Sequence, residues 1–154
     1  MSLPEKKTLL SGPSLGYVTF RLTLGVNFLM HGLVRVLGDW SGFANGYIVK
    51  QFQGTFLPEV AVKAFGWSLP VIEGVIGILL ILGLFTKWSL VAGALTMTSL
   101  VFGMSLIQKW AVVGSQMVYA ICFFALLFTL AYNHLSLDRL LGRDGDEDAP
   151  APAA

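Results

Sequence analysis

Charged side chains are scarce in this sequence. Asp, Glu, Lys and Arg make up 12% of the 154 residues, about half the share of typical soluble domains, while 55% of the residues are hydrophobic. This composition excludes an ordinary soluble domain and indicates an integral membrane protein. A formal net charge of +1 provides no strongly basic surface, so no nucleic-acid partner is expected.

Cysteine is nearly absent, because Cys122 in an apolar run is the only one. A single cysteine excludes an intramolecular disulfide and a redox-active Cys-x-x-C pair. The sequence has no flavin motif either, so we expect no covalent cofactor and no metal site. The first 20 residues lack a compact apolar core followed by a cleavage site, so the first hydrophobic run is predicted to be a retained span.

Four apolar runs approach the roughly 20 residues that a bilayer requires. They cover residues 17–37, 68–85, 90–107 and 112–132, and a helix start at Pro58 would extend the second one upstream. Short connections between the last three runs force antiparallel neighbours. We therefore predict an all-α membrane four-helix bundle with up-down-up-down topology and a short surface helix at "FANGYIVKQF" in the 38–66 loop.

The four predicted spans divide the chain into three parts. Residues 1–16 form an N-terminal cytoplasmic segment, 17–135 the four-helix domain, and 136–154 an acidic, Ala/Pro-rich disordered tail. A modest excess of Lys and Arg at the ends and in the "TKW" connection favours both termini inside, with the 38–66 loop outside. We expect a multi-pass protein of the bacterial inner (cytoplasmic) membrane.

Three ionisable side chains lie within the predicted spans at matching depth. His31 is six residues before the end of the first span, Arg35 is one turn closer to that end, and Glu73 is six residues after Trp67. At about 1.5 Å per residue, His31 and Glu73 both lie about 9 Å from the same membrane face. A charge at the centre of the hydrocarbon costs at least about 2.5–3.5 kcal/mol, so we predict that Glu73 pairs with Arg35 and that His31 bonds one of them.

Polar residues of the third and fourth spans lie toward the same face. They are Ser105, Gln108, Gln116 and Tyr119, and together with the three ionisable residues they predict a polar pocket in the outer half of the bundle. Glycines and threonines recur on every helix at spacings of three and four, which is typical of helix-packing surfaces in lipid. Arg21, near the cytoplasmic end, is expected to snorkel to the interface, with contact to Asn133 and His134 as the alternative.

Two stretches resemble the DoxX/DoxD-like membrane family. "FRLTLGVNFLMHGLVRVLGDW" has the Arg, the Gly and the His-Gly with a following basic residue of the first helix in that family. "LPVIEGVIGILLILGLFTKW" has the Glu-Gly, the repeated glycines and the Gly-Leu-x-Thr-Lys turn of the second. The resemblance covers about residues 17–105 and leaves out the second half of the fourth span and the tail. The matching positions are Arg21, His31, Gly32, Arg35, Glu73 and Gly74.

The resemblance implies an integral four-helix protein that accompanies membrane-bound oxidoreductases. Better-understood members resemble the membrane subunit of thiosulfate:quinone oxidoreductase or partners in similar assemblies, but no residue here supports thiosulfate as a substrate. The leading hypothesis is a membrane subunit of a quinone-linked respiratory assembly, with His31, Glu73 and Arg35 as catalytic residues. Its expected partners are the lipid bilayer and redox or respiratory-complex subunits. Contacts to the quinone are expected from Gly32, Gly74, Gln108, Gln116 and Tyr119.

Two other functions remain open from the sequence. In the first, the chain is a non-catalytic accessory or assembly subunit, and the Glu73, Arg35 and His31 side chains only hold helices together. In the second, it is a small proton or solute transporter, although the sequence lacks evident inverted repeats and broken helices.

Overall fold

Long helices make up most of the structure. A computed structural model of the chain describes residues 9–143. In chain order the elements are α1 (Gly12–Leu37), a π-helical stretch (Gly42–Ile48), α2 (Val49–Phe52), α3 (Glu59–Leu82), α4 (Thr86–Leu106), α5 (Trp110–Phe128), a 3-10 turn (Leu130–Tyr132) and α6 (Leu137–Leu140). Helices α1, α3, α4 and α5 are long and apolar enough to cross a membrane. The predicted all-α architecture with four spans is confirmed.

The helix ends follow local sequence signals. Ser11 caps α1, its hydroxyl accepting from the Ser14 N–H at 3.4 Å, and a proline lies in the first turn. This start lies five residues before the predicted one, at 17, so 12–16 join the helix. Pro58 precedes α3, as predicted for an upstream start, and Gly83 ends α3 in the left-handed conformation at φ 64°.

The four long helices pack as two pairs. Helix α1 lies antiparallel to α3, and α4 packs against α5. Glycines allow both contacts: a Cβ on Gly77 would lie 2.7 Å from Leu29 Cα, and one on Gly93 would overlap the Phe123 ring. Phe28 and Phe123 join the two pairs edge to face, with ring centroids 5.0 Å apart. The prediction that the small-residue surfaces are packing surfaces is confirmed at these positions.

The two ends of the bundle differ. At one end, here called the loop end, residues 42–52 form the short helical segment predicted for the 38–66 loop. Ala44 is fully buried there, and a Cβ on Gly66 would lie 3.1 Å from the Ala44 Cα, so this segment packs closely on α3. At the opposite end, here called the tail end, the 3-10 turn and α6 follow α5.

The start of the predicted disordered tail is ordered. Ser136 caps α6 by accepting from the Arg139 N–H at 3.2 Å, and the following Asp138 is buried. An acidic residue joins the fold here because the backbone N–H groups at the start of α4 bind its carboxylate. Residues 144–154 of the predicted tail, and 1–8 of the predicted N-terminal segment, lie outside the described residues.

Candidate functional site

A cavity of about 560 Å³ lies at the loop end between α1, residues 42–52, α3, α4 and α5. Part of its wall is apolar and is built from side chains such as Phe28, Leu69 and Met97. The polar part consists of Asn27, His31, Arg35, Tyr47, Gln51, Glu73, Lys109, Ser115, Gln116 and Tyr119. The cavity therefore lies at the end of the bundle where the sequence predicts a polar pocket.

Three predicted residues meet in this wall and are called here the ionisable cluster: His31, Arg35 and Glu73. Arg35 Nη1 donates to Glu73 Oε2 and forms an ion pair between α1 and α3. Arg35 Nη2 lies 3.4 Å from His31 Nδ1, one turn earlier on α1. The Glu73 side chain is only 5% exposed and that of Arg35 is 27% exposed, so the carboxylate is deep and its cation faces the cavity.

Residues 42–52 hold the arginine from the other side. The Arg35 guanidinium carbon lies 4.9 Å from the centroid of the Phe43 ring, within the range of a cation–π contact. Phe43, Tyr47 and Ile48 also line the cavity. The short surface segment therefore covers the ionisable cluster rather than lying apart from the bundle.

Two amide side chains in the cavity wall have unused hydrogen-bonding capacity. Gln116 on α5 is buried, and neither its Oε1 nor the Oδ1 of Asn27 on α1 has a hydrogen-bond partner among the described residues. Buried polar atoms are nearly always paired, so two in one cavity indicate a place for a polar ligand or water. Tyr119 lines the cavity one turn beyond Gln116. Gln116 and Tyr119 are thus placed as the sequence predicts.

Three other predicted ligand contacts lie outside the cavity lining. Gly32 is buried where α1 crosses α3, and a Cβ there would lie 2.6 Å from the Gly74 N. Gly32 therefore allows α1 to approach α3 closely, and the backbone of Gly74 is the part of α3 that it contacts. Gln108 is exposed in the turn after α4, at φ 56°, and Ser105 also lies outside the lining. Helix α4 ends at Leu106, so Gln108 lies in the following turn, where its side chain is exposed.

Asn27 and Lys109 line the cavity without having been predicted from the sequence. The signal for Asn27 is its position four residues before His31, on the same face of α1. Lys109 directly precedes α5, and its position depends on the turn rather than on helical spacing. Among the described residues no group of three or more His, Cys, Asp or Glu could hold a metal ion.

The tail end contains a second buried polar group, here called the tail-end network: Arg21, Thr86, Asn133 and Asp138. Arg21 is only 2% exposed. Its Nη1 donates to Asn133 Oδ1 at 2.7 Å, and its Nη2 donates to the Leu135 carbonyl at 2.9 Å. The expectation that Arg21 snorkels is therefore wrong, and the alternative contact with Asn133 is confirmed. Burial is possible because backbone and amide acceptors come from the segment after α5.

The carboxylate of Asp138 completes this network. Its Oδ1 accepts from the Phe85 N–H at 2.7 Å, and its Oδ2 accepts from the Thr86 N–H at 2.7 Å and hydroxyl at 2.8 Å. Asn133 Nδ2 in turn donates to the Thr86 hydroxyl at 3.2 Å. Asp138 thus acts as the N-terminal cap of α4 from a distant part of the chain.

A family model described as DoxX matches residues 16–106. The chain belongs to the DoxX family. No curated protein matches the chain, and no solved structure does. The DoxX match contains the whole ionisable cluster and Arg21, whereas Asn133 and Asp138 follow it. The DoxX region therefore supplies the acid–base groups of the cavity, and the residues after it supply the acceptors that bury Arg21.

Proposed function

We propose that the chain is the membrane subunit of a quinone-linked respiratory oxidoreductase assembly, and that the loop-end cavity binds a quinone head group. The observation that carries this proposal is the ionisable cluster in one wall of a cavity that also has apolar walls and unpaired amide oxygens. Acid–base groups at membrane depth beside an apolar wall suit a ligand that is itself apolar and exchanges protons.

The cavity fits such a head group in size and chemistry. Its volume of about 560 Å³ lies within the range of about 300–1,000 Å³ that is common for small-molecule sites. The apolar side chains Phe28, Leu69 and Met97 would contact the ring, and the amide side chains would orient its oxygens. When bound, a quinone would supply an acceptor for two electrons and two protons, which together convert it to the quinol. The electrons would come from a flavin-, haem- or molybdenum-containing partner subunit.

Two residues of the ionisable cluster have an acid–base role in this proposal, and the third has an electrostatic role. His31 and Glu73 would hold and pass protons, at the imidazole nitrogens and the carboxylate oxygens respectively. Arg35 would donate to an oxygen on which negative charge develops, as in other electrostatic sites. Because Arg35 already bonds Glu73, a proton on that carboxylate would free the guanidinium for the head group.

The proposed test replaces single members of the cluster in membranes that contain the native assembly. We expect Glu73→Gln or His31→Ala to lower quinone-dependent turnover by about a hundredfold, the usual effect of losing an acid–base group, with normal amounts of the subunit in the membrane. Glu59→Gln changes an exposed carboxylate on the same helix and serves as the control, with unchanged turnover. Normal turnover in both cluster variants would contradict the proposal.

A second candidate function is a non-catalytic accessory subunit. The ion pair between Arg35 and Glu73 favours it, because this pair joins α1 to α3 inside the membrane-spanning region. If both variants lost the subunit from the membrane, the ionisable cluster would be a structural contact and this function would be the better one.

We also propose that the chain lies in the bacterial inner membrane with its tail end in the cytoplasm. The modest excess of basic residues on the tail-end side of the spans supports this orientation by the positive-inside rule: Lys6, Lys7, Lys87, Arg139 and Arg143, against Lys50, Lys63 and Lys109 on the other side, with Arg35 near the boundary. A C-terminal reporter that is active only in the periplasm should remain inactive, and an active reporter would reverse the orientation.

A further inference from the structure

A second cavity lies at the loop end and shares only Ile48 with the lining of the cavity beside the ionisable cluster. It has a volume of about 490 Å³ and lies between α2, α3 and the C-terminal half of α4. On α3 it extends from Ala61 to Phe65, which is about 6 Å along the helix axis at about 1.5 Å per residue, and Leu57 lines it just before the helix begins. It is called here the apolar groove.

The wall of the apolar groove offers almost no hydrogen bonds. The two hydroxyl residues in its lining, Thr98 and Ser99, donate to the Ala94 and Leu95 carbonyls of their own helix, each at 3.0 Å. The other lining residues are apolar, and Gly103 lets the Phe52 ring approach, since a Cβ there would lie 3.1 Å from its Cζ. The groove therefore suits a hydrocarbon chain.

A small polar pocket continues the apolar groove toward the membrane surface. It has a volume of about 180 Å³ and shares the side chains of Phe52, Leu57 and Val62 with the groove. Its other lining includes Glu59 and the turn at Gln53–Gly54. An apolar groove that opens into a polar pocket is complementary to an amphiphile, which has a hydrocarbon chain and a polar head group.

Two side chains of opposite charge, Glu59 and Lys63, lie next to each other beside this pocket. Lys63 Nζ lies 2.5 Å from Glu59 Oε1, and the two side chains are 43% and 62% exposed. An ammonium and a carboxylate each keep free hydrogen-bonding positions in such a pair. A zwitterionic head group matches them, with its ammonium at Glu59 and its phosphate at Lys63.

We propose that the apolar groove and its polar pocket bind one zwitterionic phospholipid with a primary ammonium group, of the phosphatidylethanolamine class. One acyl chain occupies the groove, and the head group contacts Glu59 and Lys63. A primary ammonium can donate hydrogen bonds to Glu59, whereas the methylated ammonium of phosphatidylcholine cannot. This site is separate from the ionisable cluster and does not depend on the proposed quinone function.

The test measures which lipids stay on the full chain. The protein is reconstituted in vesicles of equal parts phosphatidylethanolamine, phosphatidylcholine and phosphatidylglycerol, then released in mild detergent, and retained lipids are identified by native mass spectrometry. We expect phosphatidylethanolamine to be retained about threefold over phosphatidylcholine, as for an exposed ionic contact. Glu59→Gln should remove this preference while leaving the total retained lipid nearly unchanged.

A second variant tests the groove itself. Ala61 is exposed in the groove wall, so Ala61→Trp fills the groove and should lower lipid retention about tenfold, the effect of removing about two methylene groups from contact. Ala111→Trp places the same side chain at an exposed position on α5 and should leave retention unchanged.

Three results would overturn the proposal. The first is retention of all three lipids to the same extent by the unaltered chain. The second is unchanged retention in Ala61→Trp. The third is a change of oligomer mass in Ala61→Trp with no loss of lipid, which would assign the groove to a second copy of the chain.

Discussion

The loop end and the tail end of the bundle each contain an arginine from α1, but the surroundings of the two side chains differ. Arg21 and Arg35 lie about 21 Å apart along the same helix, about four turns, and so on one face. Arg21 is almost fully buried and bonds an amide and a backbone carbonyl, while Arg35 pairs with a carboxylate beside a cavity. Among the described residues, polar groups of the tail end bond one another, whereas Asn27 Oδ1 and Gln116 Oε1 at the loop end have no hydrogen-bond partner. This difference indicates which end is structural and which is open to a ligand.

The largest expected effect comes from removing each arginine in turn. Arg21→Met should lower the free energy of unfolding by about 3 kcal/mol, because Asn133 Oδ1 and the Leu135 carbonyl lose their donor in a buried site. Arg35→Met should cost only about 1 kcal/mol, since the Arg35 side chain is 27% exposed and partly exposed ion pairs contribute little to stability. Denaturant unfolding of the purified protein in detergent measures both, and equal losses would remove the distinction between the two ends.

A smaller effect separates the two glycines where α1 crosses α3. Gly32→Ala should lower the free energy of unfolding by about 2 kcal/mol, because the added methyl group overlaps the backbone at Pro70 and Gly74. Gly74→Ala should change it by less than about 0.5 kcal/mol, since a Cβ there meets nothing within 4 Å. The same unfolding measurement applies, and a costly Gly74→Ala would show that Gly74 contacts a ligand or a partner.

Replacing one buried amide at each end is expected to have effects of opposite sign. Gln116→Leu should leave the ligand-free protein unchanged or up to about 1 kcal/mol more stable, because it removes an unpaired buried carbonyl. Asn133→Leu, an amide-to-leucine change in the tail-end network, should cost about 2 kcal/mol because Arg21 and Thr86 lose a partner. A destabilising Gln116→Leu would mean that Gln116 is already satisfied within the protein.

How well the sequence predicts the site depends on the continuity of the helices. Arg35 and Glu73 lie on uninterrupted helices with a constant rise, so counting residues from the membrane face is enough to bring them together. Gln108 lies in the turn two residues beyond the end of α4, where the helical rise no longer applies, and Ser105, inside α4, also lies outside the cavity lining. Residue counts predict depth only as far as the helix continues, and they do not predict which side of a helix faces the cavity.

The burial of Asp138 in the tail-end network is beyond such reasoning for a different reason. Counting depth offers Asn133 as an alternative contact of Arg21, but Asp138 belongs to the predicted tail, whose acidic composition is typical of disorder. Composition describes the average preference of a segment for water, whereas the burial of Asp138 depends on three specific donors at the start of α4. Only the tertiary structure places those donors beside the carboxylate.

The cap that Asp138 provides for α4 also has a consequence for synthesis. Domains and helices emerge from the ribosome N-terminal part first, so α1, α3, α4 and α5 are all made before Asn133 and Asp138. Until those residues arrive, Arg21 and the first N–H groups of α4 have no acceptors from this segment. The bundle is therefore completed from its end rather than span by span, and its tail end closes only after the fourth helix has been inserted.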